Sequence, residues 1–188
     1  MSDHTPENQD DPSEGSKNDA IDTSRRKLTG TALGVAAVFT LASRPVWANQ
    51  CTISGMMSGN LSAPKGVSCQ GCTPGYWKQP QHLDSWVGYK TTDKFNSVFG
   101  VTQYVKPDHT PYTLLEVLQL LNGNGDPIST NLGFHAVAAL LNAANSSVNF
   151  GYTSGEIITL FQTNLAPNKC AALKDALAML NERGCPLN

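Results

Sequence analysis

The sequence has little net charge and no long apolar run. Of its 15 acidic and 13 basic residues, seven and five lie in residues 1–48, which leaves eight of each sign in the rest of the chain. Nucleic-acid-binding proteins usually present a basic patch or stripe, so this balance argues against such a partner. No apolar run reaches the roughly 20 residues that a membrane-spanning helix needs.

The chain also lacks the usual sequence signatures of enzymes. It contains no Gly-x-Ser-x-Gly nucleophile elbow, no His-Glu-x-x-His zinc pair, no phosphate-binding loop and no Rossmann glycine pattern. No stretch alternates polar and apolar residues convincingly enough to predict a strand. These absences favour a helical protein and weaken the case for catalysis.

A segment with the features of an export signal lies near the amino terminus. Residues 1–24 are polar and acidic and predict a disordered leader. Arg25 and Arg26 precede a weakly apolar run from Leu28 to Ala42, and cleavage is expected after Ala48. The arginine pair resembles a twin-arginine signal, and an ordinary secretory signal is the alternative. We therefore predict a periplasmic or secreted protein that meets a membrane only during export.

Export makes the five cysteines candidates for disulfide bonds. Cys69 and Cys72 precede the first recognisable motif, and Cys170 and Cys185 flank the last predicted helix. We therefore expect bridges that join the two ends of the domain, with Cys72–Cys185 as the first choice and Cys69–Cys170 as the second. Cys51 would then be the odd thiol.

A metal site is the alternative use of these cysteines. Cys69 and Cys72 have the two-residue gap common in zinc and iron–sulfur sites, and Cys170 and Cys185 would complete four thiolates. The second pair is separated by fourteen residues and has no known metal-binding signature around it. Disulfide bonds without a cofactor are therefore preferred, and a metal-binding or redox protein with zinc or an iron–sulfur cluster is the second functional hypothesis.

After the signal, the sequence predicts a linker and one small, mainly α-helical domain. Residues 49–68 are rich in Ser, Gly, Asn and Pro, which is typical of a flexible linker. Residues 69–188 predict four to five helices and are long enough to bury a single core.

The helix boundaries follow from start and stop signals. Capping boxes at Thr113–Glu116 and Thr153–Glu156 open two helices. An alanine-rich helix is predicted from Leu132 to about Asn145, and a final helix, capped by Asn168, ends at Gly184. A shorter turn is expected around Asp93 to Phe99.

The motif Cys72-Thr73-Pro74-Gly75-Tyr76-Trp77-Lys78 resembles the opening of a group of exported bacterial proteins that share C-T-P-G-Y-W-K. The similarity continues through the helix His135 to Ala144 and through Gly184-Cys185-Pro186-Leu187, and so spans residues 72–188. It implies an exported protein but no particular activity, cofactor or substrate. Because Cys72 and Cys185 belong to the shared pattern, the resemblance supports their pairing.

Aromatic residues near the Thr73-Pro74-Gly75 turn are the most suggestive binding candidates. Flat rings at Tyr76, Trp77 and Trp86, with Lys78 at the rim, are suited to stacking on a sugar or anchoring a protein partner. The alternative is that Tyr76 and Trp77 form a small core that fixes the turn. We predict a non-catalytic interaction or structural module of the cell surface or extracellular space, with an unknown protein or glycan partner.

Histidines supply the third hypothesis, an envelope-acting hydrolase. His135, on the alanine-rich helix, is a candidate base or ligand, although a histidine bonded to a backbone carbonyl is the preferred interpretation. His82 would be an alternative base. Four loop residues are also candidates for a metal site of oxygen and nitrogen ligands, although exposed polar residues are the more expected outcome: His82, Asp84, Asp108 and His109.

Overall fold

A computed structural model describes residues 51–54, 68–120 and 125–188 of the chain. The predicted leader and signal, including Arg25, Arg26 and Ala48, lie outside the described residues, as does most of the predicted linker. The described part is helical and carries two disulfide bonds, which confirms the predicted fold class. Extended pairing is limited there to three isolated β-bridges.

Six α-helices and one 3-10 helix follow each other along the described chain. The bounds are α1 Pro74–Trp77, the 3-10 helix Pro80–Ser85, α2 Phe95–Phe99, α3 Leu114–Gln119, α4 Leu132–Ala144, α5 Ser154–Thr163 and α6 Pro167–Asn181. Helix α4 lies at the centre and contacts α6, α5, α3 and α1.

The predicted capping boxes begin α3 and α5. At α3 the Glu116 backbone N–H donates to Thr113 Oγ1 at 3.2 Å, and the Glu116 carboxylate accepts from the Thr113 N–H at 2.7 Å. Thr153 and Glu156 make the same reciprocal pair at α5. Two otherwise unpaired amide groups are thereby satisfied at each helix start.

The start predicted for the last helix is wrong. Ala166 is the residue before α6, Pro167 is its first residue, and Asn168 lies inside the first turn. Proline suits this position because its fixed φ is already helical and its missing N–H would have had no partner there.

The central helix α4 is buried on nearly all sides. Its residues from Ala136 to Asn142 are all buried, because alanines let α3, α5 and α6 approach closely. Asn131, at its start, has a left-handed φ of 62° and makes no side-chain cap. Asp126 replaces that cap by accepting from Gly133 N–H at 2.8 Å and from the hydroxyl of buried Tyr104 at 2.9 Å.

The two ends of the domain meet in a short antiparallel contact. Gly71 N–H donates to the Gly184 carbonyl at 3.0 Å, and Gly71 packs so closely on α6 that a Cβ would collide with the Leu180 carbonyl. Cys72 and Cys185 form a disulfide directly beside this contact, which is the bridge expected from the sequence.

The expected Cys69–Cys170 bridge is wrong. Cys69 pairs with Cys51, so Cys51 is not the odd thiol. Cys170 is the free cysteine, and it is buried in the first turn of α6 with its thiol 3.3 Å from the Ala166 carbonyl. Its thiol is therefore held inside the domain, while Cys69 is already bonded to Cys51.

The first described residues also correct the linker prediction. Cys51, Thr52 and Ile53 are buried rather than solvated. Ile53 N–H donates to the Tyr152 hydroxyl at 3.1 Å, and the Arg183 guanidinium donates to the Cys51 carbonyl. These contacts fix the segment Cys51–Ser54 on the helical domain.

Two disulfide bonds are typical of an oxidising, extracytoplasmic compartment. Among the helices of residues 51–54, 68–120 and 125–188, none is both long and apolar enough to cross a membrane.

Candidate functional site

The two aromatic residues of the C-T-P-G-Y-W-K motif belong to the core. Trp77 is fully buried, and its indole N–H donates to Asn142 Oδ1 at 3.1 Å. Tyr76 is 8% exposed and donates its hydroxyl proton to the Leu187 carbonyl at 3.2 Å. Trp77 therefore has no exposed surface that could contact a ligand. Tyr76 and Trp77 instead form the small core that was the alternative prediction for these two residues.

Trp86 and Lys78 lie nearer the surface. Trp86 is half-buried, and its indole N–H donates to the Trp77 carbonyl at 3.1 Å. Lys78 places its ammonium 5.5 Å from the centre of the Phe134 ring, within the range of a cation–π contact. Both side chains thus stabilise the packing around α1 while keeping part of their surface in solvent.

Asn142, which the sequence analysis did not single out, connects the motif to the helices. Its amide oxygen accepts from Cys72 N–H at 2.8 Å and from the Trp77 indole, and its amide nitrogen donates to the Cys72 carbonyl at 2.8 Å. The same nitrogen donates to Asn181 Oδ1 at 2.9 Å, and Asn181 donates to the His135 carbonyl at 3.0 Å. Both asparagines are fully buried, so this network fixes α1 on α4 and α6.

A polar cleft of about 540 Å³ opens beside the Cys72–Cys185 bridge. Cys185 forms part of its wall and is half-buried, whereas Cys72 is fully buried behind it. The walls come from α1 with the turn before it and from the end of α6 with the residues after it. The lining residues are Gly71, Thr73, Gly75, Tyr76, Gln79, Glu182, Gly184, Cys185 and Asn188.

Polar and apolar groups contribute about equally to the surface of this cleft. Thr73, Gln79 and Asn188 are exposed polar residues, and Glu182 is the lining residue with a charged side chain. The Tyr76 ring is covered on one face by His82, with ring centres 3.9 Å apart and planes inclined by 21°. Because little of the ring is exposed, the cleft offers polar side chains for recognition but little surface for stacking.

His135 lies at the start of α4, close to the carboxylate that lines the cleft. The imidazole is half-buried, and its Nδ1 is buried without a hydrogen-bond partner. Burial lowers the pKa of His135; Glu182 and Asp175 oppose this shift and Lys174 reinforces it. A neutral imidazole is therefore favoured at pH 7. The backbone carbonyl of His135, rather than its ring, takes part in the asparagine network.

The lowered pKa of His135 predicts a loss of stability in mild acid. The unfolded chain binds a proton below pH of about 6.5, whereas the folded protein resists that proton. Stability therefore falls as the pH drops from about 6.5 towards the lower folded-state pKa. We expect His135→Gln to flatten this part of the profile when urea unfolding is measured between pH 7.5 and 5.5.

His109→Asn is the matched control for this pH dependence. His109 has a left-handed φ of 65°, which asparagine tolerates well. We expect this variant to keep the same acid-dependent loss as the original chain. An unchanged slope in His135→Gln would contradict the assignment of the effect to His135.

Two of the four loop residues proposed as a metal site, Asp108 and His82, make local contacts instead. Asp108 Oδ1 accepts from the Thr110 N–H and hydroxyl, which lowers the pKa of Asp108 and closes a turn. His82 stacks on Tyr76, and Asp84 is exposed in the 3-10 helix. Across the described ranges, no three His, Cys, Asp or Glu side chains are grouped to hold a metal ion.

The structure also separates the cysteines proposed as zinc or iron–sulfur ligands. Cys72 and Cys185 are bonded to each other, Cys69 is bonded to Cys51, and Cys170 lies in α6 against Ala166. Four thiolates are not brought together.

The fold and the cleft define a small, disulfide-bonded helical domain with a polar surface cleft between its joined ends. No protein-family model, curated protein or solved structure matches this chain. Its similarity to the exported C-T-P-G-Y-W-K proteins accordingly stays a prediction from the motif.

Proposed function

We propose that this protein is an exported, non-catalytic interaction module of the cell surface or extracellular space, and that it binds its partner through the cleft beside Cys72–Cys185. The observation that carries the proposal is a polar cleft whose two walls are tied together covalently. The bridge and the Gly71–Gly184 contact join the walls, so little freedom is lost when a partner binds.

Buried polar groups elsewhere in the domain support a binding role over a catalytic one. The amide of Asn142 and the carboxylate of Asp126 are committed to fixing helices and the Cys72 peptide group. His135 Nδ1 is shielded from solvent, which disfavours the hydrolase hypothesis in which this ring is the base. The bonded cysteines likewise disfavour the four-thiolate metal site.

Export to the periplasm or beyond is part of the same proposal. The Arg25-Arg26 pair and the small-residue site at Ala48 support a twin-arginine-like signal. The two disulfide bonds support an oxidising destination. The similarity of residues 72–188 to exported proteins supports it further.

Two glycines give a matched test of the cleft. Gly75 and Gly155 are both second residues of helices whose N-cap is threonine. Gly75 lines the cleft, where a Cβ would meet Thr73 Oγ1 at an ordinary 3.5 Å, and Gly155 has nothing within 4 Å of that position. Glutamine at either site should therefore fold normally, but only Gly75→Gln should obstruct the cleft.

The readout is retention of the purified exported protein on washed cell envelopes of the producing organism. We expect the original chain and Gly155→Gln to be retained to the same extent and Gly75→Gln to be released. Equal retention of both variants would place the interaction elsewhere, and no retention of the original chain would contradict a cell-surface role.

A further inference from the structure

We propose that the cleft binds a peptide segment that presents an arginine or lysine side chain, whose cation pairs with Glu182. This inference rests on the proposed function and names the partner's chemistry.

Glu182 gives the cleft a negative charge that nearby cations do not neutralise. Arg183 donates to the Cys51 carbonyl, Lys78 lies over the Phe134 ring, and Lys174 pairs with Asp175 at 2.6 Å. In the described part of the chain no hydrogen bond or ion pair engages the Glu182 carboxylate, which is exposed at the end of α6. A cationic side chain in the cleft would find an acceptor that folding has left available.

The walls suit a polypeptide because two of the lining residues are glycines that reach the surface. Gly75 and Gly184 present backbone without side chains, which permits close approach of another main chain. Gln79 and Asn188 add amide groups that both donate and accept hydrogen bonds. Peptide groups of a partner need this combination of donors and acceptors.

A glycan is the less favoured occupant. Sugar recognition commonly uses the open face of an aromatic ring. Tyr76, the aromatic residue of the lining, is 8% exposed, has His82 stacked on one face and has Trp77 edge-on at 5.2 Å. The cleft therefore offers a cation site and hydrogen bonds but little stacking surface.

The direct probe is a fluorescent pentapeptide, Gly-Arg-Gly-Arg-Gly, with acetylated and amidated ends. The paired probe replaces both arginines with citrulline, which keeps the shape and loses the charge. Binding to the exported protein is measured by fluorescence anisotropy at low salt. Because an ion pair with an exposed carboxylate is weak in water, we expect the citrulline peptide to bind about two- to five-fold more weakly.

Glu182→Gln and Asp84→Asn complete the test. Glu182→Gln removes the charge without removing a contact of the folded domain, and it should weaken arginine binding about two- to five-fold while leaving citrulline binding unchanged. Asp84 is an exposed acid outside the cleft lining, so Asp84→Asn should bind both peptides as the original chain does. Circular dichroism checks that both variants are folded.

The outcomes separate this inference from the proposed function. Equal binding of the two peptides, no arginine binding at millimolar concentration, or arginine binding that Glu182→Gln leaves intact would overturn the cationic-peptide site. Binding of a glucosamine hexamer in a Glu182-dependent way, without peptide binding, would replace the peptide by an amino sugar. If Gly75→Gln still releases the protein from envelopes in these cases, the proposed function stands without the cationic peptide.

Discussion

Replacing Asn142 with leucine is expected to lower the free energy of unfolding by about 4 kcal/mol. Leucine has a similar volume but cannot form hydrogen bonds. It would leave the Trp77 indole N–H, the backbone N–H and carbonyl of Cys72, and Asn181 without their partner. A buried polar group without a partner costs about 1–3 kcal/mol, and neighbouring losses are not fully additive. Urea unfolding of the oxidised protein, followed by circular dichroism, measures the change.

Two further substitutions make this result specific. Asn168→Leu places the same residue at an exposed position of α6 and should change stability by less than about 0.5 kcal/mol. Asn142→Asp keeps an acceptor for Trp77 but turns an oxygen towards the Cys72 carbonyl and Asn181 Oδ1, so it should also destabilise strongly. A loss below about 1 kcal/mol in Asn142→Leu would show that the network is replaceable.

Local signals explain why much of the helical structure was predictable. The capping boxes at Thr113 and Thr153 act within one turn, and both formed as predicted. The alanine-rich segment gave the central helix almost to the residue, because its composition favours helix and its apolar residues cover most of its surface. The prediction that Asn168 caps the last helix is wrong because Pro167, one residue earlier, is already the first helical residue and has no N–H that needs a cap.

Long-range pairing explains what the sequence did not reveal. Asn142 lies within a predicted helix, but its partner Cys72 is 70 residues away, and nothing local marks the contact. Trp77 is likewise bonded to Asn142, 65 residues away, so local sequence could not decide whether Trp77 belongs to a binding surface or to a small core. A polar residue within the otherwise apolar stretch from Ala136 to Ala144 is the sequence signal for such a buried contact.

The cysteine pairing failed for a related reason. The Ser- and Gly-rich composition of residues 49–68 predicted a flexible linker, and Cys51, which lies in it, was therefore predicted to be the unpaired cysteine. Burial of Cys51 depends on Gly151, whose left-handed φ of 88° and missing side chain leave room for the Cys51 backbone. Tyr152 and Arg183 then hold the segment. None of these residues is close to Cys51 in sequence.

Removing the Cys72–Cys185 bridge by Cys72→Ala/Cys185→Ala is expected to lower the free energy of unfolding by about 5 kcal/mol. The bridge closes a loop with a sequence separation of 113 residues, so it restricts the unfolded chain far more than the Cys51–Cys69 bridge, whose separation is 18 residues. The chain-entropy relation gives about 3 kcal/mol for the shorter loop. Parallel urea unfolding of the two double variants compares them directly.

The same pair of variants tests whether the cleft depends on its own covalent link. Without the bridge, the segment that carries Gly184 and Leu187 is held by hydrogen bonds to Gly71 and Tyr76 and by the packing of Leu187 on the core. One wall of the cleft should therefore loosen before the core unfolds. Loss of the Cys51–Cys69 bridge should leave that wall intact, because neither cysteine lines it. Envelope retention should therefore fall in the first variant and persist in the second under conditions where both remain folded. The opposite order would mean that the segment Cys51–Ser54, rather than the cleft, presents the interaction surface.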